Sequence, residues 1–386
     1  MPDTVVRRRQ SNNPITSRIE ITMVQLIDEL NYADNMTAIV QPALAACRTI
    51  GWMQPAMHDG LAEMAIPEDS HNGKLRYMTY AYDGFPNANR EDADLDDARG
   101  TIVIAHGYTE FCGRYDEIAY YFLQHGYNVA ILEDRGHGYS PRDLGDFDRV
   151  WIDDWRRYVL DLAKFCEKVA RPLDPGKPLC MYAHSMGGGI AIALTEQYPS
   201  LLDALVLSAP MVDMIYGVPE PLTPAILDTL CVGRGGENPA PGQEPFPAWD
   251  ESLVSEGLSM ARGKWLYDMR AEDAHYQNFV ATNGWVREMM RLSKSIRRDS
   301  AIARISTPIL LIQSGADVQV VLPAQDAFVE QIEKDGGTAS LVRLDDAPHE
   351  QGSLPNDLLG EVINESLNFF DYYSSPAEWE INDKFE

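Results

Sequence analysis

The chain predicts an α/β fold in which a mostly parallel central sheet carries helices on both faces and a helical cap is inserted late in the core. Two observations carry this expectation. Strand-like runs at 101–106, 128–133, 179–183 and 204–208 alternate with helix-like stretches near 115–125, 151–169 and 187–198. Strands that alternate with helices imply a parallel sheet covered on both sides. The alternation then stops from 211 to about 300 and resumes with strand-like runs at 308–313 and 339–344.

Read in order, the chain opens with Arg7-Arg8-Arg9, but no apolar run follows, so the start resembles neither a Sec nor a twin-arginine leader. Residues 16–65 place Ile21, Val24, Ile27 and Leu30 at helical spacing and predict two or three helices, an N-terminal extension (1–65) packed on the core. The most apolar part, 36–57, is broken by Gln41, Pro42, Arg48 and Gln54 and is too polar to span the roughly 20 residues of a membrane helix. A first hairpin strand is expected at 75–82. The stretch 84–99, rich in Asp, Asn and Ala, is expected to be a solvated or disordered loop. The core then divides into 66–210 and 301–375 around a cap at 211–300, with an acidic tail at 376–386. The cap holds Pro219, Pro221, Pro224 and a Gly/Pro-rich run at 233–247, then Trp265, Tyr267, Trp285, Met289 and Met290. Most of these apolar residues are expected to form the cap's own core. Trp285 and Met289 are the candidates to line an acyl pocket, because Met adapts to irregular apolar space.

The chemistry starts at Ala183-His184-Ser185-Met186-Gly187, which joins a strand-like run to a helix-like one. A serine on such a turn is held out above the sheet, and small residues must stand two positions away on either side. Ala183 in place of the usual Gly meets that need. A serine hydroxyl needs a histidine to take its proton, and the histidine needs a carboxylate to fix its tautomer. Asp317 and His349 follow the strand-like runs 308–313 and 339–344, in the order Ser, acid, His and at the same carboxyl edge as Ser185. Asp345 and Asp346 lie nearer His349 in sequence, but the end of the preceding strand favours Asp317. Two backbone N–H donors are needed for an oxyanion. Met186 at the helix start and Tyr108 after the strand 101–105 are the candidates, with His106 as a structural support of that loop.

Composition excludes other classes. A net charge of −27, from 32 basic and 59 acidic residues, opposes phosphate-backbone binding and excludes nucleic acid as a partner. It also disfavours broad electrostatic attachment to anionic lipid. Five cysteines without a Cys-x-x-Cys pair fit a reducing compartment; Cys112 is expected to be a packed thiol, with reactivity the alternative. Gly187-Gly188-Gly189 lacks the Gly-Lys-Ser/Thr of a phosphate loop. The eight histidines show no metal-ligand spacing.

His106-Gly107-Tyr108-Thr109-Glu110 with Gly113-Arg114-Tyr115 resembles the oxyanion loop of the monoacylglycerol lipase and lysophospholipase branch of the α/β-hydrolases. Asp134-Arg135-Gly136-His137-Gly138-Tyr139-Ser140 is similar to the loop after that branch's next strand. Ala183–Gly188, Ser208-Ala209-Pro210-Met211 and Thr282-Asn283-Gly284-Trp285-Val286-Arg287-Glu288 resemble the bacterial lysophospholipases in particular. The resemblance spans about 70–372 and departs at Pro348-His349, at 86–99 and over the first 60 residues. It implies the α/β-hydrolase fold and a cytoplasmic serine hydrolase, at most peripheral at the inner membrane face, that cleaves carboxylic esters of monoacyl lipids through an acyl-enzyme. No cofactor or metal is implied, and the partner is a small lipid ester. A short-chain carboxylesterase, a thioesterase or a serine aminopeptidase would use the same triad, the last with Glu110 offered to a substrate ammonium. A non-catalytic binding protein of this fold is disfavoured because no triad member is missing. The oligomeric state stays open.

Overall fold

The computed structural model describes residues 24–57, 71–92, 94–216 and 222–374. The arginine run at 7–9, Ile21, Pro219, Pro221 and the acidic tail lie outside them. The strands are β1 (Arg48–Met53), β2 (Leu75–Tyr80), β3 (Gly100–Ala105), β4 (Tyr127–Leu132), β5 (Arg149–Val150), β6 (Leu179–His184), β7 (Ala204–Ser208), β8 (Val280–Ala281), β9 (Ile309–Ser314) and β10 (Ala339–Leu344). Eight of them form one sheet in the order β1-β2-β4-β3-β6-β7-β9-β10, and β5 pairs with β8 in a small second sheet. From β4 to β10 the pairs are parallel; β1–β2 and β2–β4 are antiparallel. This is the α/β-hydrolase fold.

Each of β3, β4, β6, β7 and β9 is buried at every position and mostly apolar, because both faces of the strand are covered. In β3, Val103 and Ala105 join the core on one face, whereas Ile102 and Ile104 join the core on the other. Helices Arg156–Phe165, Met186–Gln197 and Leu322–Lys334 cover the first face, and Asp116–Gln124 and Asn356–Ser374 cover the second. The segment 211–300, expected as a cap, contributes helices Thr223–Leu230, Met260–Glu272 and Asn283–Ile296. Parallel pairing of β8 with β5 ties the cap to the core.

Two expectations are corrected. Residues 48–53 are a strand, not part of a helix: Thr49, Ile50 and Trp52 favour extended backbone, and bare Gly51 lets the Tyr77 ring lie across it, 2.1 Å from where a Cβ would stand. The helical part of the extension runs over 29–47. It widens to a π-turn at Met36–Val40, directly before Pro42, whose missing N–H would break a regular helix. The second correction concerns only the disorder allowed for 84–99: its described residues form the mostly exposed loop expected, but an ordered one. The Arg90 guanidinium donates to the carbonyls of Phe85, Tyr82 and Leu95 and lies 4.1 Å from the centre of the Tyr82 ring. Phe85 beneath it is buried. A single five-donor side chain supplies the order that composition does not reveal.

The extension packs on the core and the cap. Ile27, Tyr32, Met36, Val40 and Leu44 are buried, and the Tyr32 ring meets Trp265 edge-on at 6.2 Å. Under this contact Arg262 makes a two-pronged pair with Glu117, Nη2 to Oε1 at 2.6 Å and Nε to Oε2 at 2.9 Å. The same carboxylate accepts from Tyr32 and Tyr121. Among the described residues no helix is long and apolar enough to cross a membrane.

Removing one partner of a buried pair strands the other charge. Arg262→Met is therefore expected to lower stability by about 3–5 kcal/mol, and Arg262→Met with Glu117→Leu should recover part of that loss. Urea midpoints of the three proteins measure this, and an unchanged midpoint for Arg262→Met would remove the pair from the account.

Candidate active site

Ser185 stands between β6 and the helix Met186–Gln197 with φ 49° and ψ −115°. Such a backbone conformation costs a non-glycine residue about 1–3 kcal/mol and persists only where its surroundings enforce it. Here the Ser185 N–H donates to the Ser208 carbonyl, and the Ser185 carbonyl accepts from the N–H groups of Gly189 and Met211. Gly187 has to be bare, because a Cβ there would lie 2.3 Å from the Ala105 carbonyl oxygen. Ala183 is fully buried, so the extra methyl at the start of the motif is absorbed by packing.

The fold brings Ser185, Asp317 and His349 together. His349 Nε2 lies 2.7 Å from Ser185 Oγ, and its Nδ1 lies 2.5 Å from Asp317 Oδ2. Asp317 Oδ1 is held by the N–H groups of Gln319 and Val320, which aims the other oxygen at the imidazole. Asp345 and Asp346 are exposed to solvent and neither is bonded to His349. Gln351 fixes the histidine loop: its Nε2 donates to the Ile312 carbonyl and Ser314 Oγ, and its Oε1 accepts from Ser208 Oγ. Nothing in the sequence singled out Gln351.

His349 is buried, which disfavours its charge, yet the Asp317 hydrogen bond and the Glu350 and Asp317 carboxylates outweigh burial and raise its pKa. His184, 5.2 Å away between ring centres, is driven the other way by burial and stays neutral. Its Nδ1 meets the Ser208 carbonyl at 3.1 Å.

The second loop of the site is built around β3. His106 Nε2 accepts the Asp134 N–H at 3.0 Å, which leaves its Nδ1–H to donate to the Gly107 carbonyl at 2.8 Å. This matches a supporting histidine. Among the described residues the N–H groups of Tyr108 and Met186 donate to no protein acceptor, and Met186 heads a helix whose dipole favours negative charge there. The Tyr108 ring packs at 4.3 Å on Trp285 and its hydroxyl donates to the Phe279 carbonyl.

Glu110 and Met289 depart from the sequence reading. The Glu110 carboxylate is buried, pairs with Arg114 and accepts from Tyr115 Oη and the Gly107 N–H. Burial opposes its charge, but Arg114, the nearby His184 and the Tyr115 hydroxyl hold its pKa at about 2. It braces the loop that carries Tyr108 and presents no free carboxylate to a substrate ammonium. Arg114 in turn pairs with Glu350, next to His349, and so links the two loops; only the i, i+4 spacing of Glu110 and Arg114 signalled this in sequence. Met289 is fully buried in the main core rather than facing a pocket. Trp285 is also buried, against Tyr108. Cys112 is a packed thiol, pushed up by burial and by Glu133. His184, His349 and Glu350 approach one another closely enough for an ion, but Glu350 already serves Arg114 and both nitrogens of His349 are engaged.

A family model described as serine aminopeptidase, S33, matches residues 96–351. The chain is 26% identical over 292 residues to lysophospholipase L2 of Escherichia coli strain K12, which covers 72% of this chain and 82% of that protein. It is 38% identical over 150 residues to a monoacylglycerol lipase of Mycolicibacterium smegmatis, covering 37% of this chain and 49% of that one. Among solved structures, a soluble variant of monoglyceride lipase from Saccharomyces cerevisiae superposes with a TM-score of 0.61 at 17% identity, over 83% of this chain and all of that one.

Two outcomes are expected. Asp317→Asn should lower turnover by orders of magnitude, about 10⁴-fold by the precedent of such relays, whereas Asp345→Asn and Asp346→Asn should leave it within a few fold; near-full activity of Asp317→Asn in a steady-state ester assay would sink the assignment. His349 must be neutral to accept a proton, so kcat/KM should fall with decreasing pH through a pKa above the ordinary histidine value of about 6.5. Glu350→Gln removes one of the carboxylates that raise that pKa and should move the acid limb to lower pH. A limb that stays put would exclude Glu350 from the effect.

Proposed function

Because the chain belongs to the serine aminopeptidase S33 family of α/β-hydrolases, we propose that it is a serine hydrolase of monoacyl lipid esters, lysophospholipids or monoacylglycerols, acting through an acyl-enzyme. The observation that carries this reading is the relay from Asp317 through His349 to a serine held on a strained turn. Ser185 Oγ attacks the ester carbonyl while His349 Nε2 takes its proton. The N–H groups of Tyr108 and Met186 hold the oxyanion, and each such donor lowers the barrier by roughly 3 kcal/mol. His349 then returns the proton to the departing alcohol oxygen. A water deprotonated by the same nitrogen attacks the acyl-serine, so one ester and one water become one fatty acid and one alcohol.

Names of relatives favour a lipid substrate, and the surface around the cap supports it. Ile215 (52% exposed), Leu222 (56%), Ile226 (39%), Val232 (74%) and Val318 (79%) present apolar side chains to solvent. Val318 directly follows Asp317, and the Ile215 N–H donates to the Gln319 carbonyl, which brings the cap's first residues beside the catalytic loop. The aminopeptidase reading is weakened because Glu110, the carboxylate it would need, is held by Arg114 and Tyr115.

Ser185→Ala should abolish hydrolysis without loss of fold, and a fluorophosphonate should label Ser185 alone. If the cap covers an acyl chain, kcat/KM should rise from acetyl to medium and long monoacyl esters, by up to about fourfold per buried methylene, and stay low on diacyl and triacyl lipids. A substrate panel that gave a flat profile, or a preference for amino-acid amides, would replace the lipid assignment with a small-substrate one.

A further inference from the structure

Arg270, on the cap helix Met260–Glu272, is buried and has no carboxylate within ion-pair distance among the described residues. Its Nη2 donates to the Thr109 carbonyl at 3.0 Å, its Nε has no hydrogen-bond partner, and its guanidinium carbon lies 5.9 and 5.6 Å from the ring centres of Phe111 and Phe279. Aromatic faces attract a cation but do not neutralise it. The same part of the cap carries Asn278, fully buried, with neither amide atom partnered. Gln277 beside it donates to the Arg270 carbonyl. Burial pushes the Arg270 guanidinium down to about 10, so it is still a cation at neutral pH. A buried cation without an anion is costly, and the cost is removed when a ligand supplies one.

Its position says which part of a substrate meets it. Thr109 follows Tyr108, whose N–H faces the oxyanion. The charged groups around Arg270 are Arg114, Glu110 and Glu350, and Glu350 follows His349, the residue that hands a proton to the leaving oxygen. Arg114 is engaged by Glu110 and Glu350, which leaves Arg270 as the one of these two arginines with a donor to spare among the described residues. In a monoacyl ester the leaving alcohol is the headgroup, so the headgroup departs between these two loops.

We propose that Arg270 receives the phosphodiester of a lysophospholipid headgroup, so that the cap favours phosphate-bearing monoacyl esters over neutral monoacylglycerols. This rests on the ester-hydrolase reading above and specifies its substrate. A guanidinium offers a planar fork of donors to phosphate oxygens, which the neutral glycerol of a monoacylglycerol does not match.

The test compares kcat/KM on a lysophospholipid and a monoacylglycerol of the same acyl chain, with a p-nitrophenyl ester of that chain as the headgroup-free control. Wild type should prefer the lysophospholipid. Arg270→Gln should lower the lysophospholipid-to-monoacylglycerol ratio about tenfold, the size of a lost charge-assisted contact, and Arg270→Lys should restore part of it. A ratio unchanged in Arg270→Gln, including equal losses on all three substrates, would make Arg270 a brace of the Thr109 loop and overturn the inference. In case the variant folds poorly, wild type alone supplies a second reading. Glycerophosphoethanolamine should compete with p-nitrophenyl ester hydrolysis more strongly than glycerol or inorganic phosphate. Equal competition by glycerol removes the phosphate from recognition, and equal competition by inorganic phosphate removes the headgroup; either overturns the proposal. Hydrolysis of the p-nitrophenyl ester but of neither lipid would instead overturn the underlying substrate reading.

Discussion

The turn at Ser185 is the constraint on which the rest of the site depends. A left-handed φ on a residue with a side chain is unfavourable, and here it is imposed from three directions: the Ser208 carbonyl on the Ser185 N–H, the Met211 and Gly189 N–H groups on the Ser185 carbonyl, and β3 pressed against Gly187. The first and last come from the neighbouring strands β7 and β3, and the middle pair from the loop after β7 and the helix that follows the serine. The hydroxyl therefore stands above the carboxyl edge only when β3, β6 and β7 are paired in register. That registry also sets the oxyanion loop, because Ala105 at the end of β3 leads directly into His106, Gly107 and Tyr108.

A chain of net charge −27 places its cations with care at this edge. Arg114 sits between Glu110 on the oxyanion loop and Glu350 on the histidine loop, so one guanidinium holds together the two loops whose separation determines where an ester carbonyl would lie. Glu350 in turn helps to raise the pKa of His349. Arg262 plays the comparable part farther out, joining the cap helix to Glu117 on the core and to the N-terminal extension. The extension is thus built into the cap's footing, with Tyr32 against Trp265 and Glu117.

Much of this was legible in the residues. The apolar runs that became β3, β6, β7 and β9 are short, continuous and bounded by turn residues, and a strand buried on both faces leaves no other pattern. Ser185, Asp317 and His349 could be singled out because each follows the end of a strand within a few residues, β6, β9 and β10 respectively, at a carboxyl edge that parallel strands share. What misled was polarity taken alone. The acidic loop before β3 is ordered by Arg90, and 48–53 pairs with β2 although it follows a helical stretch. Local composition does not reveal which carbonyls one guanidinium will gather, nor which strand a short run will pair with.

The sequence by itself determined the alternation of elements, the small-residue turn around Ser185 and the order of serine, acid and histidine, because these depend on neighbours a few positions away. Only the tertiary structure decided what the charged side chains do. Glu110 moved from an expected substrate contact to a brace of the loop after β3, Met289 moved into the core, Gln351 emerged as the anchor of the histidine loop, and Arg270 was left buried among aromatic rings with no carboxylate in ion-pair distance among the described residues. Arg114 and its partner Glu350, like Gln351 and its partner Ser208, lie more than a hundred residues apart along the chain. A carboxylate or a guanidinium has no fixed role until folding decides which charges share its low-dielectric surroundings.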